Sequence, residues 1–225
     1  MTLSVSMQRI LARTGDGSPT LYVPELNEHY HSIHGAIQES LFVYIDKVLR
    51  QIDKPEIRLF ETGFGTGLNA FLSCREAEKE KRIICYHSIE LYPLSKPEWL
   101  EFAKYLKESE TDKSFFERIH ECTWEKEEQI TRFFRLKKIK ADLTTYRSPE
   151  TYDAIFFDAF GPDVQAELWT PEIFRNISEM MNPGAILSTY SSKGQVRRNM
   201  QAAGLLVSRI PGPKGKRQIL LATKP

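Results

Sequence analysis

The fold of this 225-residue chain is decided by the segment Ile57-Arg58-Leu59-Phe60-Glu61-Thr62-Gly63-Phe64-Gly65-Thr66-Gly67-Leu68-Asn69. Its apolar start predicts a buried strand that ends at an acid, and the residues after the last glycine follow a helical pattern. Glycines at alternate positions let the backbone turn sharply and approach a ligand without a Cβ in the way. The N–H groups of the helix start can then meet an electron-rich group. This order predicts a doubly wound α/β sheet that holds a nucleotide-like cofactor at the ends of its strands.

The spacing of the glycines narrows the class of cofactor. Dinucleotide-binding turns favour G-x-G-x-x-G, and a nicotinamide cofactor therefore fits poorly. Here the pattern is E-x-G-x-G-x-G, which resembles the first motif of class I S-adenosylmethionine methyltransferases. A glycine-rich turn without any ligand is the alternative. The resemblance implies that S-adenosyl-L-methionine is bound by the turn residues Glu61, Gly63, Phe64, Gly65, Gly67 and Asn69.

Two acids after later strands are further candidates for binding this cofactor. Ile83–Glu90 is predicted to be a buried strand, and an acid at the end of the second strand commonly accepts hydrogen bonds from ribose hydroxyls. The alternative for Glu90 is an exposed residue at a strand end. Asp142 follows the third core strand, where it either accepts from the adenine amino group or caps the next segment.

The acid Asp158 ends a fourth apolar strand, Asp153–Asp158, and is followed by Ala159-Phe160-Gly161-Pro162. Methyl transfer to an amine requires a neutral nitrogen, and a free alkylamine has a pKa of about 10. We therefore expect Asp158 to orient the amine and to take or relay its proton, beside the cofactor. Phe160 is expected to shape the acceptor pocket. An aspartate that only caps the turn before Pro162 is the alternative.

Composition limits the class of protein. The length suits one sizeable α/β domain, and the net charge of +1 argues against a chain that binds polyanions over its whole surface. Residues 180–225, however, carry eight basic side chains and no Asp or Glu. Such asymmetry marks a face for nucleic acid or arises by chance.

The three cysteines, Cys74, Cys85 and Cys122, have neither metal-type nor disulfide spacing, which suits a reducing cytosol. No signal peptide or long apolar run is present, so we expect a cytoplasmic protein that does not engage a membrane.

The chain is predicted to divide into an N-terminal extension, residues 1–53, and a core domain, residues 54–225. The extension contains a hairpin between Gln8–Arg13 and Thr20–Val23 and a helix over Gly35–Arg50. In the core, strands alternate with helices, and the last two extended runs form a β-hairpin. The fold class is thus α/β, Rossmann-like, with a mostly parallel seven-stranded sheet whose last strand inserts antiparallel. The other predicted core elements are the helices Thr66–Lys79, Leu94–Ser109, Pro171–Met181 and Gly194–Ala203, and the extended runs Gln129–Ala141, Ala185–Tyr190, Leu205–Ile210 and Gln218–Ala222.

His29, His31 and His34 lie within six residues, but no fourth ligand is close by and methyl transfer needs no metal. We therefore expect no metal site and interpret this segment as a polar loop over the cofactor or substrate. Glu39 and Ser40 either cap the helix that follows or reach the site.

Several motifs in order, from about Tyr22 to Leu221, resemble the MnmC/MnmD methyltransferase family. Besides the glycine turn and Ser88–Glu90, they are Tyr30–Ser32, Gly35–Ala36, Glu39–Ser40, Asp158–Pro162, Glu167–Thr170, Tyr190–Asn199, Ala203–Gly204 and Pro211–Arg217. The resemblance implies methylation of the 5-aminomethyl group of the wobble (thio)uridine in tRNA, giving 5-methylaminomethyl-(2-thio)uridine. Some members fuse this domain to a flavin-dependent oxidase. We expect the stand-alone form here, without flavin, and it is open whether a separate oxidase docks.

The same resemblance implies contacts with the anticodon stem-loop of tRNA. An unstacked wobble base would lie on Phe160, Tyr190 or Trp169, although Trp169 can equally belong to the core. The phosphates would be met by Lys193, Arg197, Arg198, Lys214, Lys216 and Arg217.

Two other classes of function stay open from the sequence. One is a transferase of the same fold that methylates a small amine or a protein, or that transfers an aminopropyl group. The other is a cofactor-sensing RNA-binding module without catalysis. The basic tail argues for a polyanion and against a polyamine, and Asp158 at the strand edge argues for turnover.

Overall fold

The computed structural model describes residues 8–106, 109–213 and 215–225, and places the N-terminal part of the chain on one side of a large sheet. The predicted hairpin is confirmed, since Ile10 pairs with Tyr22 in an antiparallel register. The predicted helix over Gly35–Arg50 is instead one short α-helix that widens into π-helical turns. The elements of this part are β1 (Ile10–Arg13), β2 (Pro19–Val23), β3 (Glu28–His29), α1 (Ala36–Ser40), π-helical turns over Leu41–Asp46 and a 3₁₀ turn over Leu49–Gln51.

The remaining described residues form the predicted core strands and helices, together with a helix over Glu110–Glu121 and a strand over Glu127–Gln129 that the sequence analysis did not predict. In chain order they are β4 (Glu56–Thr62), α2 (Leu68–Glu80), β5 (Ile83–Ile89), α3 (Lys96–Ala103), α4 (Glu110–Glu121), β6 (Glu127–Gln129), β7 (Phe134–Ile139), β8 (Tyr152–Phe157), α5 (Pro171–Glu179), β9 (Met181–Thr189), α6 (Gly194–Ala202), β10 (Leu206–Pro211) and β11 (Gln218–Thr223), with a 3₁₀ turn over Ala166–Trp169 before α5.

The large sheet has the strand order β10-β11-β9-β8-β4-β5-β7-β6. Strands β4, β5, β7, β8 and β9 run parallel, and β11 lies antiparallel to β9. The predicted Rossmann-like class and its terminal hairpin are therefore confirmed. One strand is added to the expected seven, because β6 pairs antiparallel with β7 at the sheet edge.

The order of the strands creates the place for a ligand. The chain runs outward from β4 to β5 and β7, and then returns to the other side of β4 with β8 and β9. The carboxyl ends of β4 and β8 consequently form a topological switch point, where the following loops separate and leave a crevice.

Helices bury both faces of the central strands. Every residue of β8 is buried, as expected for a parallel strand with helices on both sides. Its side chains alternate between two core clusters, with Phe156 in one and Phe157 in the other. The first cluster also contains Val43 and Tyr44, so residues before position 54 share the core of the main sheet.

Boundaries differ from the predictions mainly between the second and fourth core strands. The helix predicted over Leu94–Ser109 ends at Ala103, and a separate helix begins at Glu110. Ser95 caps the start of α3, since Glu98 Oε2 accepts a hydrogen bond from Ser95 N at 2.7 Å. Within the described ranges, no helix combines the length and apolar composition that crossing a membrane requires.

Candidate active site

A cavity of about 660 Å³ opens at the carboxyl edge of the sheet. Its walls come from the glycine turn after β4 and from the loops after β5, β7, β8 and β9. A further wall is built by residues 28–44 of the N-terminal part, and Lys216 closes the cavity from the β10–β11 loop. Of the residues predicted for the site, the cavity brings together Gly63, Gly65, Glu90, Asp142, Asp158, Phe160, Tyr190 and Lys216.

The glycine turn has the backbone that only glycine adopts without strain. The φ angles of Gly63, Gly65 and Gly67 are 88°, 51° and 72°. A Cβ on Gly63 would lie 3.1 Å from the carbonyl oxygen of Asp158, and one on Gly67 would lie 2.9 Å from His120 Nε2. The turn therefore packs closely against the end of β8 and against α4, while Gly63 and Gly65 face the cavity.

Glu90 and Asp142 line the cavity, and both also accept hydrogen bonds from backbone N–H groups of nearby loops. Glu90 Oε2 accepts from Gly65 N at 3.0 Å, and its Oε1 accepts from Tyr92 N at 2.8 Å. Asp142 Oδ1 accepts from Thr144 N at 2.8 Å, which is the capping role considered for it. Both acids thus combine a position on the cavity wall with a structural role.

Both carboxylate oxygens of Asp158 accept hydrogen bonds from side chains. Tyr44 Oη donates to its Oδ1 at 2.6 Å, and Asn69 Nδ2 donates to its Oδ2 at 2.7 Å. Asn69 Nδ2 also donates to Glu61 Oε1 at 3.0 Å, and Ser88 Oγ donates to Glu61 Oε2 at 2.6 Å. One amide therefore links the two carboxyl groups.

Burial shifts the protonation of both acids. It raises the pKa of Asp158 to about 7, against the lowering effect of the hydrogen bonds from Tyr44 and Asn69. Burial likewise raises the pKa of Glu61 to about 8. A carboxyl group with a pKa near the working pH exchanges its proton readily, which is the property a general base needs.

Four predicted cofactor residues lie behind the cavity wall and do not line it. Glu61 and Asn69 belong to the carboxyl network just described, and Gly67 begins α2. Phe64 is buried, with its ring centroid 5.5 Å from that of His120 and 5.9 Å from that of Trp124. These four residues support the turn from behind the wall, whereas Gly63 and Gly65 face the cavity.

The aromatic residues after β8 and β9 take different positions. Phe160 lies on the cavity wall, edge-on to Tyr30 with 5.0 Å between ring centroids. Tyr190 also lines the cavity, and its Oη donates to the carbonyl oxygen of Ala159 at 2.9 Å. Trp169 is only 3% exposed, and its Nε1 donates to the carbonyl oxygen of Phe160 at 2.8 Å. Trp169 is thus a core residue that supports the Phe160 loop, the second of the two roles considered.

The N-terminal segment contributes Tyr44, which the sequence did not assign to the site, and Tyr30, which it indicated only as part of a family motif. Tyr44 donates to Asp158, and the Tyr30 ring covers Gly65 and Phe160. A tyrosine in a helical pattern gives no local signal of such a role. The histidine segment does form part of the cavity wall, as expected of a loop over the site.

His31 is held as a neutral ring. Its Nδ1 lies 3.2 Å from Thr20 Oγ1, and its Nε2 lies 3.0 Å from Thr66 Oγ1. Burial lowers the pKa of His31 to about 4. Over residues 8–106, 109–213 and 215–225, no group of His, Cys, Asp and Glu side chains is arranged to hold a metal ion.

The basic residues of the C-terminal part divide into two sets. Lys193 pairs with Asp163, and Arg198 donates to Gln195 Oε1 at 2.7 Å on the surface of α6. These two, with Arg197 and Arg217, do not line the cavity. Lys216 does line it and pairs with Glu39 at 2.8 Å. The sixth predicted residue, Lys214, lies outside the described residues.

Comparison with known proteins identifies relatives over nearly the whole chain. The bifunctional protein MnmC of tRNA 5-methylaminomethyl-2-thiouridine biosynthesis from Pseudomonas savastanoi pv. phaseolicola is 30% identical over 222 residues, which cover 88% of this chain and 32% of the relative. The protein of the same name from Burkholderia multivorans is 28% identical, over 94% of this chain and 34% of the relative. The chain thus spans about a third of the length of these curated relatives.

A solved structure, MnmC2 from Aquifex aeolicus, superposes with a TM-score of 0.77 at 25% identity, covering 99% of this chain and 72% of the other. The model of a family of S-adenosyl-L-methionine-dependent methyltransferases matches residues 102–225, more than half of the chain. The protein with the Asp158 cavity therefore belongs to this family of S-adenosyl-L-methionine-dependent methyltransferases.

Proposed function

We propose that this enzyme transfers a methyl group from S-adenosyl-L-methionine to the 5-aminomethyl group of the wobble (thio)uridine in tRNA, giving 5-methylaminomethyl-(2-thio)uridine. One observation carries the proposal: the cavity joins the glycine turn, suited to the cofactor, to Asp158, a buried acid whose pKa lies near 7. The names of the relatives, which refer to biosynthesis of this nucleoside, indicate the substrate.

The residues at one end of the cavity fit a nucleoside cofactor. Gly63 and Gly65 bring backbone without a side chain to the cavity wall, where a Cβ would lie 3.1 Å from the carbonyl oxygen of Asp158 or from the Tyr30 ring. Glu90 lies where ribose hydroxyls would be bound, and Asp142 where an adenine amino group would be bound. When bound, the cofactor supplies an electrophilic methyl group on a sulfonium.

At the end of the cavity beside Gly63, Asp158 has to make the acceptor nitrogen nucleophilic. An alkylammonium has no lone pair, so its proton must pass to a base before the new N–C bond forms. The ionised Asp158 accepts that proton and becomes a neutral acid, a state that its burial favours. Asn69 and Tyr44 hold the carboxyl group in place during the transfer. When bound beside Asp158, the cofactor would supply its sulfonium methyl group to this neutral nitrogen and would leave as S-adenosylhomocysteine.

Phe160 and Tyr190 offer aromatic faces for the unstacked base at this end. Anticodon bases in a loop can be unstacked at low cost and placed on such faces. The exposed cations of α6 and of the β10–β11 loop are available to phosphates of the anticodon stem-loop.

The test is turnover on the natural acceptor. The purified enzyme is incubated with S-adenosyl-L-methionine and tRNA from cells that lack the wobble methylation step, and the digested nucleosides are analysed by mass spectrometry. We expect loss of 5-aminomethyl-(2-thio)uridine and gain of a species heavier by one methyl group.

A matched reaction uses tRNA whose wobble uridine carries no aminomethyl group. No methyl transfer to either tRNA, with cofactor binding intact by calorimetry, would exclude this substrate and direct the search to small amines and proteins.

A further inference from the structure

Glu39, Tyr190 and Lys216 form an ammonium-binding cluster on the cavity wall. Lys216 Nζ lies 2.8 Å from Glu39 Oε1 and 4.2 Å from the centroid of the Tyr190 ring. All three residues line the same cavity as Asp158. A carboxylate and an aromatic face are the two groups that bind an alkylammonium best.

This cluster is assembled from three separate parts of the fold. Glu39 belongs to α1, Tyr190 follows β9, and Lys216 lies in the loop between β10 and β11. The side chains of Glu39 and Lys216 are only 14% and 24% exposed. Partial burial of a lysine ammonium requires surroundings that replace its water, and Glu39 and Tyr190 provide them.

Glu39 has bonding capacity that Lys216 leaves unused. Its Oε1 accepts from Lys216, whereas its Oε2 is buried and has no hydrogen-bond partner among residues 8–106, 109–213 and 215–225. A buried carboxylate oxygen without a donor costs free energy, and an ammonium with three N–H groups can supply one.

We propose that Glu39 and the face of Tyr190 recognise the alkylammonium of the acceptor, and that the Lys216 ammonium stands in this place until the acceptor displaces it. This inference rests on the proposed function, in which the acceptor carries a CH₂–NH₃⁺ group like the end of a lysine side chain. The acceptor ammonium and the Lys216 ammonium can therefore bind the same partners, the Glu39 carboxylate and the face of the Tyr190 ring. From this site the acceptor passes one proton to Asp158 on the same wall, and the displaced Lys216 becomes available to an RNA phosphate.

The proposal makes Glu39 a specificity-determining residue. A wobble uridine without the aminomethyl group offers nothing to Glu39 and leaves Lys216 in place. A wobble uridine with the aminomethyl group replaces the Lys216 ammonium by its own. Lys216 is then free to contact an RNA phosphate. The enzyme should therefore prefer aminomethyl tRNA to the same tRNA with unmodified uridine.

The test measures this preference directly. Dissociation constants are determined for the full-length protein with aminomethyl tRNA and with unmodified tRNA, and their ratio is compared between wild type and variants. Glu39→Gln should reduce the preference by about 10- to 100-fold, the range for a hydrogen bond to a charged group, and leave the affinity for unmodified tRNA within twofold. Glu172→Gln, the same change at an exposed acid of α5 that does not line the cavity, is the control and should keep the preference.

Lys216→Met should change the preference for aminomethyl tRNA in the opposite direction to Glu39→Gln. Without the competing ammonium, the preference for aminomethyl tRNA should increase, whereas a purely structural role of the pair would lower it in both variants. At position 190, Tyr190→Leu should reduce the preference more than Tyr190→Phe, which keeps an aromatic face.

The outcomes separate the two proposals. An unchanged preference in Glu39→Gln, with wild-type turnover on aminomethyl tRNA, overturns the recognition site and keeps the proposed function. A lost preference in Glu39→Gln without turnover by the wild type supports the site and overturns the methylation step. Cofactor calorimetry and thermal unfolding establish that each variant is folded.

Discussion

At Asp158, burial and hydrogen bonding shift the pKa of one side chain in opposite directions. Burial favours the neutral acid, and the donors Tyr44 and Asn69 favour the carboxylate, with a resulting pKa of about 7. An exposed aspartate, with a pKa near ~4, would hold a proton too weakly to accept one from an ammonium.

This balance predicts the effect of Asp158→Asn. The amide cannot accept the proton of the ammonium, so we expect kcat to fall by about 10²- to 10⁴-fold at saturating cofactor. In the wild type, kcat/KM should rise with pH up to about 7 and then level, since below this pKa the acid already holds its proton. Single-turnover methyl transfer between pH 5.5 and 8.5 measures both effects. Retention of more than a tenth of the wild-type rate would show that Asp158 only orients the amine.

The glycine turn gives a second prediction for a single residue. Gly63→Ala combines a φ of 88° with a Cβ 3.1 Å from the carbonyl oxygen of Asp158. The turn must move away from β8, and we expect the cofactor affinity to fall about tenfold or more by calorimetry.

Gly204→Ala is the matched control for this variant. Its φ is 82°, but nothing lies within 4 Å of the added Cβ. It should therefore lower the unfolding temperature through backbone strain alone and leave cofactor affinity unchanged. Equal losses of affinity in the two variants would contradict the role of the close contact at Gly63.

Among the elements, the N-terminal segment supplies one wall of the cavity through residues 28–44, and a side chain just before the hairpin anchors that wall. Arg9, just before β1, has a side chain that is only 8% exposed. Its guanidinium donates to Tyr30 Oη at 2.9 Å, to Glu98 Oε1 at 3.0 Å and to the carbonyl oxygen of Tyr92 at 2.7 Å. One side chain thus ties the extension to the loop after β5 and to the start of α3.

We expect Arg9→Met to weaken the packing of the cavity wall that contains Tyr30. The Tyr30 ring covers the glycine turn, so losing its anchor should weaken cofactor binding by about tenfold, the effect of one or two charged hydrogen bonds. Arg13→Met, at the end of β1, is the control, because Arg13 lies over the Tyr105 ring at 4.8 Å and not on the cavity. Cofactor titration of both variants is the measurement. A similar affinity in the two variants would show that the extension does not shape the cofactor site.

At the scale of the whole molecule, a chain of net charge +1 presents its cations unevenly. Arg197 and Arg198 lie on α6, which starts at the carboxyl edge of the sheet after β9. Lys79 and Lys81 lie at the C-terminal end of α2, away from the carboxyl edge of the sheet, where α2 begins. A polyanion that reaches the cavity from the carboxyl edge should therefore meet the first pair and not the second.

Charge reversal tests this arrangement. Arg197→Glu with Arg198→Glu should weaken tRNA binding and reduce the salt dependence of its affinity by about one counterion for each lost phosphate contact, with cofactor binding intact. Lys79→Glu with Lys81→Glu should change neither quantity. Unchanged tRNA affinity in the first double variant would remove α6 from the RNA-binding surface.

The amino-acid sequence by itself determined the parts of this protein that depend on short stretches of chain. The strand before the glycine turn, the turn itself and the terminal hairpin follow from periodicity and turn chemistry within about ten residues. The positions of Glu90, Asp142 and Asp158 followed as well, because parallel strands bring their carboxyl ends to one edge. The alternation of strands and helices then predicted a mostly parallel sheet of the Rossmann-like class.

Only the tertiary structure decided which side chains meet across the cavity. Tyr44 bonds to Asp158 over 114 residues, and Lys216 pairs with Glu39 over 177. No local pattern encodes such contacts, since they arise when separate elements pack on the same core. For the same reason, Phe64 in the middle of the cofactor motif packs against α4 and not in the cavity. The Phe64 ring fills buried space behind the turn that the neighbouring glycines, which have no side chain, leave empty.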